Sequence, residues 1–280
     1  MVSIPKGKFL MGSNDIERFK EDKEEPVQSI EVPSFMIEKY SVTNDDFSHF
    51  VEDTGYKTDA EKYNWSFVFH LNLSQTLKNK SKKVKNVEWW YAVEKACWFK
   101  PEGPGSNIKH RGNHPVVHIS WNDAIAYCQW SGKRLPSEVE WEYAARGGLV
   151  QKKYPWGDEL NPGGEYVCNI WQGKFPYINT KEDGYLNTAP VDSFPPNNFG
   201  IYNLSGNVWE WCLNNFNDKF DNSKKVKYSA YTPSFKTIRG GSFLCHSSYC
   251  NRYRVSARTA NTIDTSSANM GFRCALSVDK

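Results

Sequence analysis

Along most of the chain, large apolar residues stand singly between polar ones, and three stretches repeat them at helical spacing. The first follows Thr43, placed as a cap with Asp46 three residues on, and carries Phe47, Phe50 and Val51 on one face before Gly55. The second follows Ser120, with Asp123 at the third position, Ala124, Tyr127 and Cys128 facing inward, and Gly132 as the stop. The third reads Ser137-Glu138-Val139-Glu140, a capping box, then Trp141, Tyr143 and Ala144, and closes on Gly147-Gly148. The box is a strong signal because each of its two side chains satisfies a backbone N–H that the first helical turn leaves bare.

Short alternating runs predict strands at 29–32, 35–38, 116–119, 188–191, 208–211, 237–239 and 271–276. Between them, roughly 55–110 and 146–206 are rich in Gly, Pro, Asn and Asp. Stretches of that length need local tethers in a compact fold, and bound metal ions are one kind. No shift in composition marks a linker, so residues 1–280 are expected to form one α+β domain of low regular secondary structure.

Composition sharpens that picture. Aromatic residues make up 15% of the chain, yet its mean hydropathy is −0.68, so scattered rings rather than aliphatic runs must fill the core. The 35 basic and 32 acidic residues leave a net charge of +3, which gives little reason to expect nucleic-acid binding. The lysine-rich stretch 78–85 (KNKSKKVK) reads as a solvated loop. No long apolar run predicts a membrane span. Met1 to Gly7 carries no charged-then-apolar leader, which leads to the expectation of a cytoplasmic protein.

The seven cysteines are 97, 128, 168, 212, 245, 250 and 274, too few for a disulfide scaffold of this size. Cys245 and Cys250 stand five residues apart in Gly240-Gly241-Ser242-Phe243-Leu244-Cys245-His246-Ser247-Ser248-Tyr249-Cys250. A straight strand would hold their Cα atoms about 17 Å apart on opposite faces. A helix would set them about 140° apart. If they act together the segment must bend, and Ser247-Ser248 can supply the turn. Two unrelated thiols, a structural disulfide and a two-thiolate metal site all remain open on spacing alone. A soft monovalent ion such as Cu(I) suits two thiolates better than zinc, which takes four ligands.

Longer motifs add a resemblance. They include Ile4-Pro5-Lys6-Gly7 with Met11-Gly12-Ser13, His114-Pro115-Val116-Val117-His118-Ile119-Ser120-Trp121, Gly132-Lys133-Arg134-Leu135-Pro136, and Gly206-Asn207-Val208-Trp209-Glu210-Trp211. Gly240-Gly241-Ser242 and Gly271-Phe272-Arg273-Cys274 complete the set. Through nearly its whole length the chain resembles the formylglycine-generating enzyme (sulfatase-modifying factor) family, with its C-type-lectin-like fold.

The resemblance implies an oxidase in which Cys245 and Cys250 hold Cu(I), Ser242 and Trp209 flank them, and a sulfatase cysteine in an extended Cys-x-Pro-x-Arg segment becomes formylglycine. Dioxygen and a thiol reductant are the implied co-reactants. It also implies calcium at Asn169, Ile170, Asp183 and Tyr185, and a second calcium at Asn203, Gly206, Val208 and Glu210. Such sites use hard oxygens from irregular loops. His246 and Tyr249 are equally read as structural. Cys128 and Cys274 fall where the family often carries a disulfide. Ala145 and Val255 stand where a second pair would be. The alternatives are a non-catalytic lectin-like peptide- or protein-binding module, and an iron-dependent sulfoxide synthase. The latter typically adds a helical domain and a His-rich motif, which the six histidines here do not form.

Overall fold

The computed structural model describes residues 1–217 and 235–278. All three capped helices form, as Asn44–Thr54, Trp121–Trp130 and Glu138–Arg146, each with its capping box closed in both directions. Gly55 and Gly147 end the first and third in the left-handed region, at φ 65° and 54°. Two further helices, Asp59–Tyr63 and Gln75–Lys80, are too short to show an apolar period, although Thr58 and Glu61 form a capping box on the former.

The strands form small sheets rather than one large one. Val2–Ile4, Phe35–Ile37 and Ala275–Ser277 join the two ends of the chain. Gly7–Met11 pairs with Gln28–Val32, and Trp65–Phe69, Trp90–Glu94 and Lys82–Lys83 form a third sheet with Lys82–Lys83 at its edge. A four-stranded sheet runs Arg258–Thr262, Phe235–Arg239, Trp209–Asn215, Met270–Gly271, the last pair parallel.

Two expected strands do not form. Residues 116–119 form no strand: His118 turns into the left-handed region at φ 61°, which breaks a ladder. Residues 188–191 run without a strand partner. The expected strand 271–276 is split: the chain leaves the four-stranded sheet after Gly271 and enters the terminal sheet at Ala275.

The crossing places Arg273, fully buried, against Glu210 at 2.7 Å. Arg254 meets Glu24 at 2.7 Å, and Glu142 sits between Arg146 and Arg239. Such pairs, with buried rings such as Trp141 and Trp211, fill the interior. Removing one member of a buried pair strands the other charge and costs about 3–5 kcal/mol. They therefore hold irregular loops in place where few ladder hydrogen bonds do.

Candidate active site

The strand Phe235–Arg239 leads into a loop that bends where Ser247-Ser248 was expected to turn it. Tyr249 N and Cys250 N both donate to His246 O, at 2.9 and 2.7 Å, and His246 Nδ1 lies 2.7 Å from Ser248 Oγ. The bend brings Cys245 Sγ and Cys250 Sγ to 2.9 Å. Both are unbridged thiols. Their separation exceeds the roughly 2.05 Å of a covalent S–S bond, and the sulfurs face one another as a pair.

The two thiols differ in charge. Cys250 is drawn down to about 7, because the Cys245 thiol donates to it and, against the cost of burial, the backbone N–H and guanidinium of Arg252 add to the pull. Burial and that same donated proton push Cys245 well above the usual thiol range. When the pair loses a proton, it is therefore Cys250 that becomes the thiolate, accepting from the Cys245 thiol beside the Arg252 cation.

Both cysteines line an open cavity of about 340 Å³. Ser242 and Trp209 line it too, as the resemblance implied. Ser242 Oγ accepts from Asn269 Nδ2 at 2.9 Å, and the serine side chain also hydrogen-bonds Cys245. Trp209 is fixed by the parallel pairing of its strand with Met270. The mouth is aromatic: Phe175 stacks on Tyr249 at 4.9 Å, and Trp89 meets Tyr249 edge-on at 4.9 Å. Tyr249 is thus a wall residue, while His246 is held by its own turn.

Sequence reading missed Arg252 as a site residue, and with it Asp22 and Phe19. The Arg252 guanidinium lies 3.7 Å over the Phe19 ring, and its Nε donates to Asp22. Arg252 sits just past the cysteine motif, but nothing in the sequence joins it to a carboxylate 230 residues away.

Of the first implied calcium set, Asp183 and the Ile170 carbonyl are brought to one point. Asp183 is buried without a cationic partner among the described residues, and burial pushes its carboxyl up against the donors around it. Gln172 Nε2 donates to Asp183 Oδ2 at 3.0 Å and to Ile170 O, so a carboxylate and a carbonyl converge on one point. Asn169 reaches the same loop through Asn187 O at 2.8 Å, and Tyr185 N donates to Asp183 Oδ1 at 2.9 Å. The side-chain oxygens of Gln172 and Asn187 are buried without partners. An uncompensated carboxylate with spare buried oxygens fits a hard cation.

The second set is less open. Asn203 Oδ1 is buried and unpartnered. Gly206 and Val208 lie on the adjoining turn, with Gly206 N donating to Gly240 O at 2.8 Å. Both oxygens of Glu210 are already taken, by Ser41, Trp141 and Arg273. A cation there would share that carboxylate with Arg273.

An irregular α+β fold that bends one loop to present two thiols in an aromatic-walled cavity defines a class of cysteine-based site rather than a disulfide framework. Residues 1–278 match the sulfatase-modifying factor enzyme 1-like domain, and the chain belongs to that family. It is 54% identical to a formylglycine-generating enzyme of Thermomonospora curvata over 98% of this chain and 92% of that protein. It is 44% identical to an inactive C-alpha-formylglycine-generating enzyme 2 of Bos taurus, over 98% and 87%. Among solved structures, PvdO from Pseudomonas aeruginosa shares the fold, with a TM-score of 0.69 at 24% identity over 99% of this chain and 93% of that one. No described helix is long and apolar enough to cross a membrane.

Proposed function

We propose that this chain is a formylglycine-generating enzyme: it converts one cysteine of a sulfatase polypeptide, presented as extended Cys-x-Pro-x-Arg, to formylglycine. The observation that carries the reading is the Cys245–Cys250 pair, 2.9 Å apart and opening on a cavity. The relatives of that name at half identity or more support it. In balance, the substrate thiomethyl group, one dioxygen and two external thiols give an aldehyde, hydrogen sulfide, one water and one disulfide. The external thiols supply the two electrons that substrate oxidation leaves short.

Cys245 and Cys250 would hold Cu(I), whose chemistry when bound is the activation of dioxygen. The protein's own residues do the rest. Cys250 offers a thiolate near neutral pH, and Arg252 balances the anionic charge that accumulates as sulfurs gather. Ser242, fixed by Asn269, keeps a hydroxyl beside Cys245. Trp209 and the aromatic mouth exclude water and give an extended peptide an apolar bed. Calcium at Asn169, Asp183 and the carbonyls of Ile170 and Tyr185 would tether the loop that ends near the cavity wall. The second set, Asn203 to Glu210, is the weaker host because of Arg273.

The test supplies the purified chain with Cu(I), a thiol reductant, oxygen and a Cys-x-Pro-x-Arg peptide, and follows the peptide by mass spectrometry. Loss of the thiol with gain of an aldehyde is expected, falling by at least about 1,000-fold in Cys250→Ala, as for loss of a group essential to the chemistry. Undiminished conversion by that variant would falsify the assignment. A folded wild type that binds the peptide but leaves its mass unchanged would favour the non-catalytic binding module.

A further inference from the structure

Ser267 has no part in the chemistry proposed above, yet it begins a chain of side-chain hydrogen bonds that ends at Cys245. Its Oγ donates to Asn269 Oδ1 at 2.7 Å. Asn269 Nδ2 donates in turn to Ser242 Oγ at 2.9 Å, and Leu244 N donates to the same oxygen at 3.3 Å. A hydroxyl oxygen has two lone pairs and one hydrogen. With both pairs of Ser242 taken, its hydrogen is the part left for Cys245, to which the serine side chain is hydrogen-bonded. Ser267, Asn269, Ser242 and Cys245 all line the one cavity.

The direction of this chain depends on which way the Asn269 amide faces, and the two ends of an amide are nearly alike in shape. Reversed, the amide would offer Ser242 an oxygen, and the Ser242 hydrogen would turn to it and away from Cys245. Ser267 opposes the reversal. Its hydroxyl has no other hydrogen-bond partner among the described residues, so a reversed amide would leave a buried hydrogen unmet. Ser267 is itself firmly held. His118 N and Met270 N both donate to its carbonyl, at 2.9 and 3.2 Å, and Ala268 N donates to Phe67 O at 2.9 Å. His118 reaches it from φ 61°, a conformation that is costly outside glycine and persists only where the surroundings fix it. Its buried ring is so fixed, by Ser66 Oγ at 2.7 Å and Pro101 O at 2.9 Å.

We propose that Ser267 is a positioning residue: by donating to Asn269 Oδ1 it sets the orientation of that amide, and so directs the Ser242 hydroxyl hydrogen at Cys245. The idea rests on the function proposed above and adds a residue to its machinery. Ser267 acts through Asn269, so its loss should disturb the chemical step and leave peptide binding nearly as it was.

The amide is read separately from turnover, so that the two proposals can fail independently. In protein carrying isotope-labelled asparagine, the side-chain amide of Asn269 is the NMR signal lost in Asn269→Ala. Its hydrogen exchange should be slow in wild type and at least about tenfold faster in Ser267→Ala, the scale of one buried hydrogen bond. In peptide conversion, Ser267→Ala should lower kcat by about tenfold and leave KM within about twofold, a split that a general loosening of the fold would not give. An amide that exchanges freely in wild type, or equally in wild type and Ser267→Ala, overturns the positioning role. So does an unchanged kcat in Ser267→Ala. An amide that is held only when Ser267 is present, in a wild type that converts no peptide, would count against the enzymatic reading alone.

Discussion

Two pairs of thiols lie buried in this protein, and they are built for opposite ends. Cys245 and Cys250 are 2.9 Å apart, and Cys128 and Cys274 are 3.5 Å apart. All four are less than a tenth exposed. The first pair comes from one bent loop and has Arg252 beside it. The second joins a helix to the end of the chain, with a carboxylate nearby: Glu38 accepts from Cys274 N at 2.8 Å. Burial, the Cys128 thiol and the Glu38 charge push Cys274 well above the usual thiol range. Proximity of sulfurs therefore does not make a site. The sign of the neighbouring charge and an opening to solvent do.

The sharpest way to break the comparison is to label the metal-free native protein with iodoacetamide and map the products. Cys250 should react directly, whereas Cys128 and Cys274 should wait for unfolding and so react at least about 1,000-fold more slowly. The pH profile should separate them as well. The thiolate is the nucleophile, so the Cys250 rate should rise with pH, reach half its maximum at about 7 and then level off. A midpoint at or above the ordinary thiol value of about 8.5 would remove the claimed asymmetry.

A smaller effect isolates the cation. Arg252→Gln takes the charge from beside Cys250 and leaves Asp22 without its partner. Labelling of Cys250 at pH 7 should slow by about fivefold if its midpoint rises by about one unit, from half ionised to about a tenth ionised. Arg252→Lys should recover much of the rate without the fork that serves Asp22 and the thiolate together. Equal rates in all three proteins would leave the Cys245 donor as the sole source of the depressed value.

How much of this was legible in the sequence follows from how far each device reaches along the chain. The three helices are readable from caps because a cap and its partner lie three residues apart. The loop that joins the sulfurs is readable as a required bend because both cysteines and the Ser247-Ser248 turn lie within six residues. The Arg252–Asp22 and Arg254–Glu24 pairs, each spanning 230 positions, leave no local pattern. Residues 271–276 look like one strand because alternation cannot show a chain changing sheets midway, with Arg273 buried at the crossing. The lysine-rich stretch 78–85, read as a solvated loop, instead ends the helix Gln75–Lys80 and forms the edge strand Lys82–Lys83, because its pairing partner Trp90–Glu94 lies beyond any local pattern.

The least effect expected is the most telling about the second pair. Cys274→Ala removes a sulfur from a fully buried site and leaves a small void beside Cys128. The cost should be about 1–2 kcal/mol, as for a modest core truncation. In a domain of this size that lowers the melting temperature by about 2–8 °C. Conversion of the peptide, measured well below that temperature, should stay within about twofold of wild type, since neither Cys128 nor Cys274 lines the cavity. Cys245→Ala should cost stability on the same scale and abolish conversion. The contrast needs both variants, because each alone confounds folding with chemistry. If Cys274→Ala lost conversion while keeping its melting temperature, the second pair would belong to the reaction, and charge and access would no longer explain why one pair is reactive and the other inert.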